Sequence, residues 1–579
     1  MGSTAVHGGP LGSPASGEPL HPGVLEAARA WADDDPDPQT REELTALAAV
    51  ADGGDVAAAA ELTDRMSGLL TFGTAGLRGA LAGGPNRMNR AVVIRAAAGL
   101  TAYLQDDLGT REPFVVVGFD ARRNSDVFAR DTAAVVTGLG GRAAVLPHPL
   151  PTPVLAYAVR LLGADAGVMV TASHNPPQDN GYKVYLGDGR QIVPPADAGV
   201  AAHIAAVRSV ALVPRPDDGW ETLPDDVHES YLDAVAGVLD PASPREVHVV
   251  HTALHGVGTG TVRAAFARAG FPEPLVVPSQ AEPDPAFPTV GFPNPEEPGA
   301  MDAALELAEQ TGPDLVVAND PDADRCAVAV PGRGGWRMLT GDELGVLLGV
   351  HLLRRGRIGP GRCFASSVVS SRLLAAVCAA AGVRHEETLT GFKWIARAEG
   401  LRYGYEEALG YCAAPDVVLD KDGVSAALLV AECVAGLRAD GRGVEDLLDE
   451  VAAAHGVHLT GAHNVRVSDL SLTSSVMARL RAGGPAGVAA ACGSDVAEWD
   501  DLARGYHGLP PTEGLRWVLA DGSRVVVRPS GTEPKLKAYL EVVEPVPGGD
   551  VAQVRPARDR ASLRLGVLQE AVASLTAPV

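Results

Sequence analysis

At 579 residues the chain exceeds what one hydrophobic core supports, so it divides into roughly three to five domains of about 100–200 residues. Its formal net charge of −24 excludes a nucleic-acid partner, which would demand a basic face, and any phosphate bound here is small and locally held. No apolar stretch approaches the roughly 20 residues of a membrane span, so no membrane partner is expected.

Residues 1–17 are rich in Gly, Pro and Ser and lack both a basic start and an apolar core. They read as a flexible tail, reaching to about residue 38, and not as a secretion signal, which implies a cytoplasmic address. Thr40-Arg-Glu-Glu43 has the capping-box spacing and is expected to open a helix running to about residue 51. A β-branched run at 113–117 ends in Gly118-Phe-Asp120 and precedes a helical pattern at 126–139. Strands at 168–171, 247–251, 315–319 and 363–368, with helices at 260–269 and 372–381, repeat this alternation. Parallel or mixed sheets covered by helices follow, with ligands gathered at loops beyond the carboxyl ends of the strands. Pro-rich stretches at 213–224 and 278–298 and a Gly-rich one at 331–335 break the chain at or inside domain limits. Beyond residue 458, strands at 464–467, 516–519, 524–528 and 535–543 and a helix at 556–575 describe an α+β domain.

The six cysteines (Cys326, Cys363, Cys378, Cys412, Cys433, Cys492) lie far apart without CxxC pairing and read as reduced core residues. Only Lys183, Lys393, Lys421, Lys535 and Lys537 are lysines. Such a scarcity is ordinarily a codon bias toward arginine. A lysine that persists against it answers to compactness or titration, which arginine does not offer.

Four constellations carry chemistry. Thr171-Ala-Ser173-His174-Asn175-Pro176-Pro177 follows an apolar strand and exposes a serine on a loop. Asp320-Pro-Asp322-Ala-Asp324-Arg325 follows another. On extended backbone its alternating carboxylates converge and repel, and a hard divalent cation, magnesium in type, relieves the repulsion. A calcium EF-hand is excluded, because Arg325 and Pro331 stand where that loop needs Gly and an acid. Arg528-Pro-Ser530-Gly531-Thr532-Glu-Pro-Lys535 joins two strands with hydroxyls, a Gly and flanking cations, the donors a phosphate monoester needs. Glu406-Glu407-Ala-Leu-Gly410 and Asp420-Lys421-Asp422-Gly423 suit recognition of sugar hydroxyls, or the capping of a helix.

Together these pieces, with Phe72-Gly-Thr-Ala-Gly-Leu-Arg78-Gly79, resemble the α-D-phosphohexomutase superfamily of phosphoglucomutases and phosphomannomutases, from about Phe72 to the carboxy terminus. Gln178-Asp-Asn-Gly-Tyr-Lys183-Val-Tyr185, Thr388-Leu-Thr-Gly-Phe-Lys393-Trp394 and Val418-Leu-Asp-Lys-Asp-Gly423 are most similar to its phosphoglucomutase-2 and phosphopentomutase branch. The resemblance implies three similar α/β domains with mixed sheets and a smaller α+β C-terminal domain around a central cleft. The expected divisions are a tail at 1–38, then 39–216 with the serine loop, 217–331 with the metal loop, 332–456 with the sugar-reading loop and 457–579 with the phosphate loop.

It also implies an isomerase that interconverts sugar 1-phosphate and sugar 6-phosphate, glucose before mannose, through phosphorylated Ser173 and a sugar bisphosphate. Ser173, Lys183, Arg78 and His174 would be catalytic, and Ser173, Asp320, Asp322 and Asp324 would hold Mg2+. Arg325, Lys393, Glu406, Arg528, Ser530, Gly531, Thr532 and Lys535 would bind substrate, with glucose 1,6-bisphosphate as activator and the chain a monomer or homodimer. Many hexose-specific members have Glu-x-Ser where Glu406-Glu407-Ala408 stands here, and the missing hydroxyl brings a pentose phosphate into range. A sugar bisphosphate synthase and an inactive phosphosugar-binding regulator are the alternatives. A serine hydrolase is not supported, since the Gly-x-Ser-x-Gly elbow is missing around Ser173.

Overall fold

The computed structural model describes residues 21–73, 76–356, 358–466, 470–530 and 535–577. Among them, four sheets follow one another along the chain. The first has the order Leu77–Ala80, Asp179–Leu186, Ala166–Val170, Phe114–Phe119, Arg142–Val145, Glu221–Thr222. Its centre is parallel, as the unbroken burial of Val115, Val116 and Val117 requires, because a strand covered by helices on both faces has no polar side. Leu77–Ala80 joins one edge antiparallel to Asp179–Leu186 and so brings Arg78 beside the serine loop.

The second sheet runs Gly335–Met338, Ala327–Gly332, Leu315–Ala318, Val249–Thr252, Leu275–Val276, and the third Arg384–Thr388, Cys363–Ser367, Leu401–Glu406, Gly410–Cys412. Both mix parallel and antiparallel pairs. The fourth, Val457–Arg466, Lys535–Glu544, Arg524–Pro529, Leu515–Leu519, Val496–Asp501, is antiparallel throughout and packs against the helix Val554–Thr576. The architecture is thus three mixed α/β domains and an α+β C-terminal domain, as expected. One apolar core runs from the first sheet through the second and third, while the C-terminal domain keeps its own around Trp517, Leu540 and Leu568. No helix among the described residues is long and apolar enough to cross a membrane.

Four local readings are corrected. The helix Pro22–Asp34 lies inside the stretch read as a tail, and its Val24, Ala28 and Ala32 pack with Leu44, Ala48 and Leu62. The next helix, Pro38–Asp52, starts ahead of Thr40. Asp37 caps it by accepting from the Gln39 N–H at 3.0 Å, with Pro38 at the first turn, a stronger start than the capping-box spacing. The domain limits at 216 and 331 cut through paired strands, because Glu221–Thr222 belongs to the first sheet and Gly335–Met338 to the second. The strand expected at 464–467 begins at Val457 and runs to Arg466, held by ten residues of pairing with Lys535–Glu544 that its polar start concealed; residue 467 lies outside the described residues.

Candidate active site

Two strands end face to face. Ala166–Val170 delivers Ser173, and Leu315–Ala318 of the second sheet delivers Asp320, so that Ser173 Oγ donates to Asp320 Oδ2 at 2.6 Å. Ser173 sits at φ 53°, a left-handed conformation uncommon for a residue with a Cβ and held here by its surroundings. Its N–H donates to Thr171 Oγ1 at 2.8 Å. The buried Arg122 guanidinium donates to the carbonyls of Ser173, Asn175, Pro176 and Asp179 at 2.5–3.2 Å. His174 Nδ1 lies 3.2 Å from Ser173 Oγ, and burial together with the nearby Arg325 and Arg78 holds that imidazole well below its usual range, hence neutral. Arg78 Nη1 reaches Asn175 Oδ1 at 3.3 Å.

The three aspartates are buried and their ligand atoms lie within 4.8 Å of one another. Lys183 Nζ donates to Asp322 Oδ2 at 2.7 Å and to Asp324 Oδ2 at 2.6 Å, and Lys421 Nζ lies 2.9 Å from Asp324 Oδ2. Thr152 Oγ1 donates to Asp322 Oδ2 at 2.5 Å, and the Thr152 N–H to the Asp322 carbonyl at 2.9 Å. Burial and the like charge of Asp324 raise the Asp322 carboxyl. Burial works against Asp324 as well, yet Lys183 and Lys421 hold it well below the carboxylate range. Among the described residues, Oδ1 of Asp322 and Oδ1 of Asp324 are buried without a hydrogen-bond donor. Paired, open carboxylate oxygens in a dry pocket are the ligands a hard divalent cation takes, so the residues fit such an ion. The loop is pressed against Gly423, where a Cβ would stand 2.2 Å from the Arg325 carbonyl oxygen.

The segment at 406–410 reaches the same cluster. Arg325 Nη1 donates to the Ala408 carbonyl at 2.6 Å, and the Cys326 N–H to that of Leu409 at 3.1 Å. Burial pushes the Glu406 carboxyl up to about 7 against the pull of Arg325 and Lys421. Its neighbour is not open to a ligand, because Glu407 Oε2 accepts from Ser367 Oγ at 3.0 Å and Ser370 Oγ at 2.9 Å. Asp420 accepts from Tyr185 and Gln191, and Asp422 from Tyr231 while capping the helix Gly423–Ala439. Of the carboxylates read as sugar ligands, Glu406 therefore stays with the cluster, Glu407 Oε2 and both oxygens of Asp420 accept internally, and Asp422 is held through Oδ1 while its Oδ2 is buried without a hydrogen-bond partner among the described residues.

Lys393 stands apart, lowered by burial and facing Asp197 and Arg397. Arg528 hydrogen-bonds Tyr539, which also faces Glu407 and Glu406, and the Ser530 N–H donates to the Lys535 carbonyl at 2.7 Å. Gly531 and Thr532 lie outside the described residues. Arg122 and Thr152 fell in none of the motifs, and Lys421 stood inside one without a role of its own. The survival of Lys421 in a lysine-poor chain was its available signal; Thr152 had none.

The chain matches four domain families in order: Phosphoglucomutase/phosphomannomutase, alpha/beta/alpha domain I at residues 69–211, domain II at 229–334, domain III at 340–455 and the C-terminal domain at 463–553. It is 46% identical over 461 residues to a "Probable phosphomannomutase" of Haemophilus influenzae, covering 78% of this chain and 93% of that one. It is 34% identical to a Homo sapiens phosphopentomutase, covering 86% and 88%. In fold it matches the open form of the Paramecium phosphoglucomutase parafusin, with a TM-score of 0.63 at 20% identity over 87% of this chain and 95% of that one. With all four domains matched in sequence around this one cluster of serine and aspartates, the chain belongs to the phosphoglucomutase/phosphomannomutase family of isomerases.

Proposed function

We propose that the chain is a phosphosugar mutase in which phosphorylated Ser173 gives its phosphoryl group to the free hydroxyl of a sugar monophosphate and takes the sugar's other phosphoryl group back. The observation that carries this reading is Ser173 Oγ, 2.6 Å from Asp320 Oδ2 and beside the two open Oδ1 atoms of Asp322 and Asp324. In the first transfer the P–O bond to Ser173 Oγ breaks as a P–O bond to the sugar oxygen forms, and the proton released by the sugar hydroxyl ends on the freed Ser173 Oγ. The resulting bisphosphate turns end for end, and the second transfer reverses these changes on its other phosphate.

Arg78 steadies the serine loop through Asn175 and adds positive charge, Lys183 serves charge stabilisation and proton transfer, and neutral His174 orients Ser173 Oγ. A magnesium ion held by Ser173, Asp320, Asp322 and Asp324 would supply neutralisation of the charge on the transferring group. Arg528, Ser530, Gly531, Thr532 and Lys535 hold the phosphate that is not reacting, Arg325, Lys393 and Glu406 read the sugar, and glucose 1,6-bisphosphate primes Ser173. A cytoplasmic setting and a monomer or homodimer belong to the same reading; the cysteines, all free among the described residues, suit a reducing compartment.

Glucose 1-phosphate and mannose 1-phosphate are the first substrates proposed, and the Haemophilus influenzae relative supports a hexose. Ribose 1-phosphate is the second reading. Ala408 offers no hydroxyl, its carbonyl is taken by Arg325, and the human relative is a phosphopentomutase. The test is kcat/KM for the three sugar phosphates with magnesium and a trace of glucose 1,6-bisphosphate, with Ser173→Ala alongside. One dominant sugar and an inactive Ser173→Ala protein are expected; turnover of none of the three, or full activity of the variant, overturns the mechanism.

A further inference from the structure

We propose that Arg524 and Glu541 are positioning residues that seat the phosphate-loop hairpin on the turn at 368–372 and, through Ser370, hold the Glu406-Glu407 segment, so that the phosphate-binding and sugar-reading loops are set together. Its functional meaning rests on the mutase reading. The hairpin strands Arg524–Pro529 and Lys535–Glu544 flank the phosphate loop at one end, and at the other Arg524 stands opposite Glu541. At about 3.4 Å per residue that pair lies roughly 17 Å from the loop, so a small change in its seating becomes a larger one at the phosphate.

The seat is specific. Glu541 is fully buried, and a buried carboxylate persists only when its charge is answered. Its Oε1 accepts from Ser371 Oγ and the Arg372 N–H, both at 2.8 Å, and its Oε2 from Arg372 Nε at 2.6 Å. From its own domain it meets His458 Nδ1 at 3.0 Å and Arg524 Nη2 at 3.4 Å. Arg524, equally buried, donates to the carbonyls of Val368, Val369 and Ser370 at 3.1, 3.4 and 2.5 Å. Val368 and Val369 pack with Leu502, Tyr506 and Val526, so the seat is apolar around a charged centre.

Ser370 is the link. Its carbonyl is held by Arg524, while its hydroxyl donates to Glu407 Oε2 at 2.9 Å and accepts from the Glu407 N–H at 3.2 Å. The backbone beside Glu406 is therefore fixed by the same turn that carries the hairpin. Among the described residues neither Arg524 nor Glu541 bonds to Ser173, Asp320, Asp322 or Asp324, so their effect is on position.

Hydrogen exchange of Glu541→Gln at neutral pH without sugar tests the coupling. Amides at 406–410 are expected to exchange about tenfold faster or more, with those of Ala166–Val170 at parental rates. Parental rates at 406–410 overturn the coupling whether or not the protein turns anything over. A failure of the mutase reading shows separately, as absent turnover and absent Ser173 phosphorylation in the parent. Ser370→Ala, which leaves the Arg524–Glu541 pair in place, covers the case in which Glu541→Gln does not fold: it too is expected to speed exchange at 406–410. In turnover, KM for the sugar phosphate should rise by roughly fivefold or more while the fraction of Ser173 phosphorylated by glucose 1,6-bisphosphate stays parental. An unchanged exchange rate together with an unchanged KM in that variant overturns the proposal.

Discussion

Replacing Asp324 and Asp322 by Asn separates two roles that share one cluster. Asp324 is where the cations converge, with Lys183 Nζ at 2.6 Å, Lys421 Nζ at 2.9 Å and Arg325 Nε at 4.0 Å. Asn keeps its shape but strips a charge from between two buried ammonium groups, and removing one partner of a buried pair costs about 3–5 kcal/mol. Asp322 has one ammonium, Lys183 at 2.7 Å, and lies against Asp324, so Asn there relieves a like-charge contact while its carbonyl still accepts from Lys183. Its expected cost is below about 1.5 kcal/mol. The assay is thermal melting in EDTA and then in magnesium chloride. In EDTA, Asp324→Asn should lower the first transition by on the order of 10 °C and Asp322→Asn by a few degrees. In magnesium the parent should gain stability by mass action and both variants should lose that gain, each having given up a ligand. An equal or reversed order in EDTA refutes the charge argument, and a parent indifferent to magnesium refutes the cation site.

Glu406 is raised to about 7 by burial; on the proposed reading its carboxylate form accepts from sugar hydroxyls, so KM for the sugar phosphate should fall as pH rises through about 7. Glu406→Gln should lack that limb, and the difference between the two profiles removes the substrate's own ionisation. Asp342, buried between the Ser371 N–H at 2.7 Å and the Tyr405 hydroxyl at 3.0 Å, is pushed up to about 7, well above the ordinary carboxylate range, mainly by burial. A raised folded value means that its contribution is present below the unfolded value and lost as pH rises through about 7, by up to about 4 kcal/mol. Melting of Asp342→Asn against the parent from about pH 5 to 8 should show the variant gaining relative stability with pH, and a constant difference counts against it. Gly423→Ala drives a Cβ to 2.2 Å from the Arg325 carbonyl and 2.6 Å from Asn319 Nδ2. It should cost about 1–3 kcal/mol of stability and, by shifting the aspartate loop, roughly tenfold or more in kcat; parental kcat would show that the loop tolerates the shift.

What could be read from the sequence is what is local. The runs that end at Val117, Val170 and Ala318 are continuously apolar because helices cover both faces of those strands, and the loops bearing Ser173 and Asp320 follow them within three residues or fewer. The three aspartates do come together, but not on the extended backbone that their i, i+2, i+4 spacing suggested: the loop turns, with the Ala323 N–H donating to the Asp320 carbonyl at 2.8 Å and Ala323 itself at φ 51°. What could not be read is long-range. Thr152 reaches Asp322 across 170 residues, and Arg122 reaches the carbonyl of Ser173 across 51, with nothing in either local pattern to announce it. Adjacent carboxylates are equivalent on paper. Only the fold shows that Glu407 is consumed by Ser367 and Ser370 while Glu406 is left facing Arg325. The helix Pro22–Asp34 escaped because its polar flanks outweighed Val24, Ala28 and Ala32, which do recur at the spacing of one helical face.

The lysine scarcity now has a structural counterpart. Lys183 and Lys421 are two of five lysines in the chain, both are buried, and both end on Asp324. A guanidinium could answer the same charge, but its planar fork is broad and binds two oxygens at once, whereas an ammonium is a compact point charge. The open Oδ1 atoms of Asp322 and Asp324 lie within the same cluster as the Oδ2 atoms that the two ammonium groups hold. An arginine at 183 would extend a second donor toward those oxygens and compete with the cation for its ligands. Lysine holds the carboxylates in place by one oxygen of each and leaves the other free. Lys183→Arg should accordingly keep the fold yet weaken the stabilisation by magnesium more than the melting temperature in EDTA. If instead magnesium still stabilises the variant as it does the parent, compactness is not why lysine stands there.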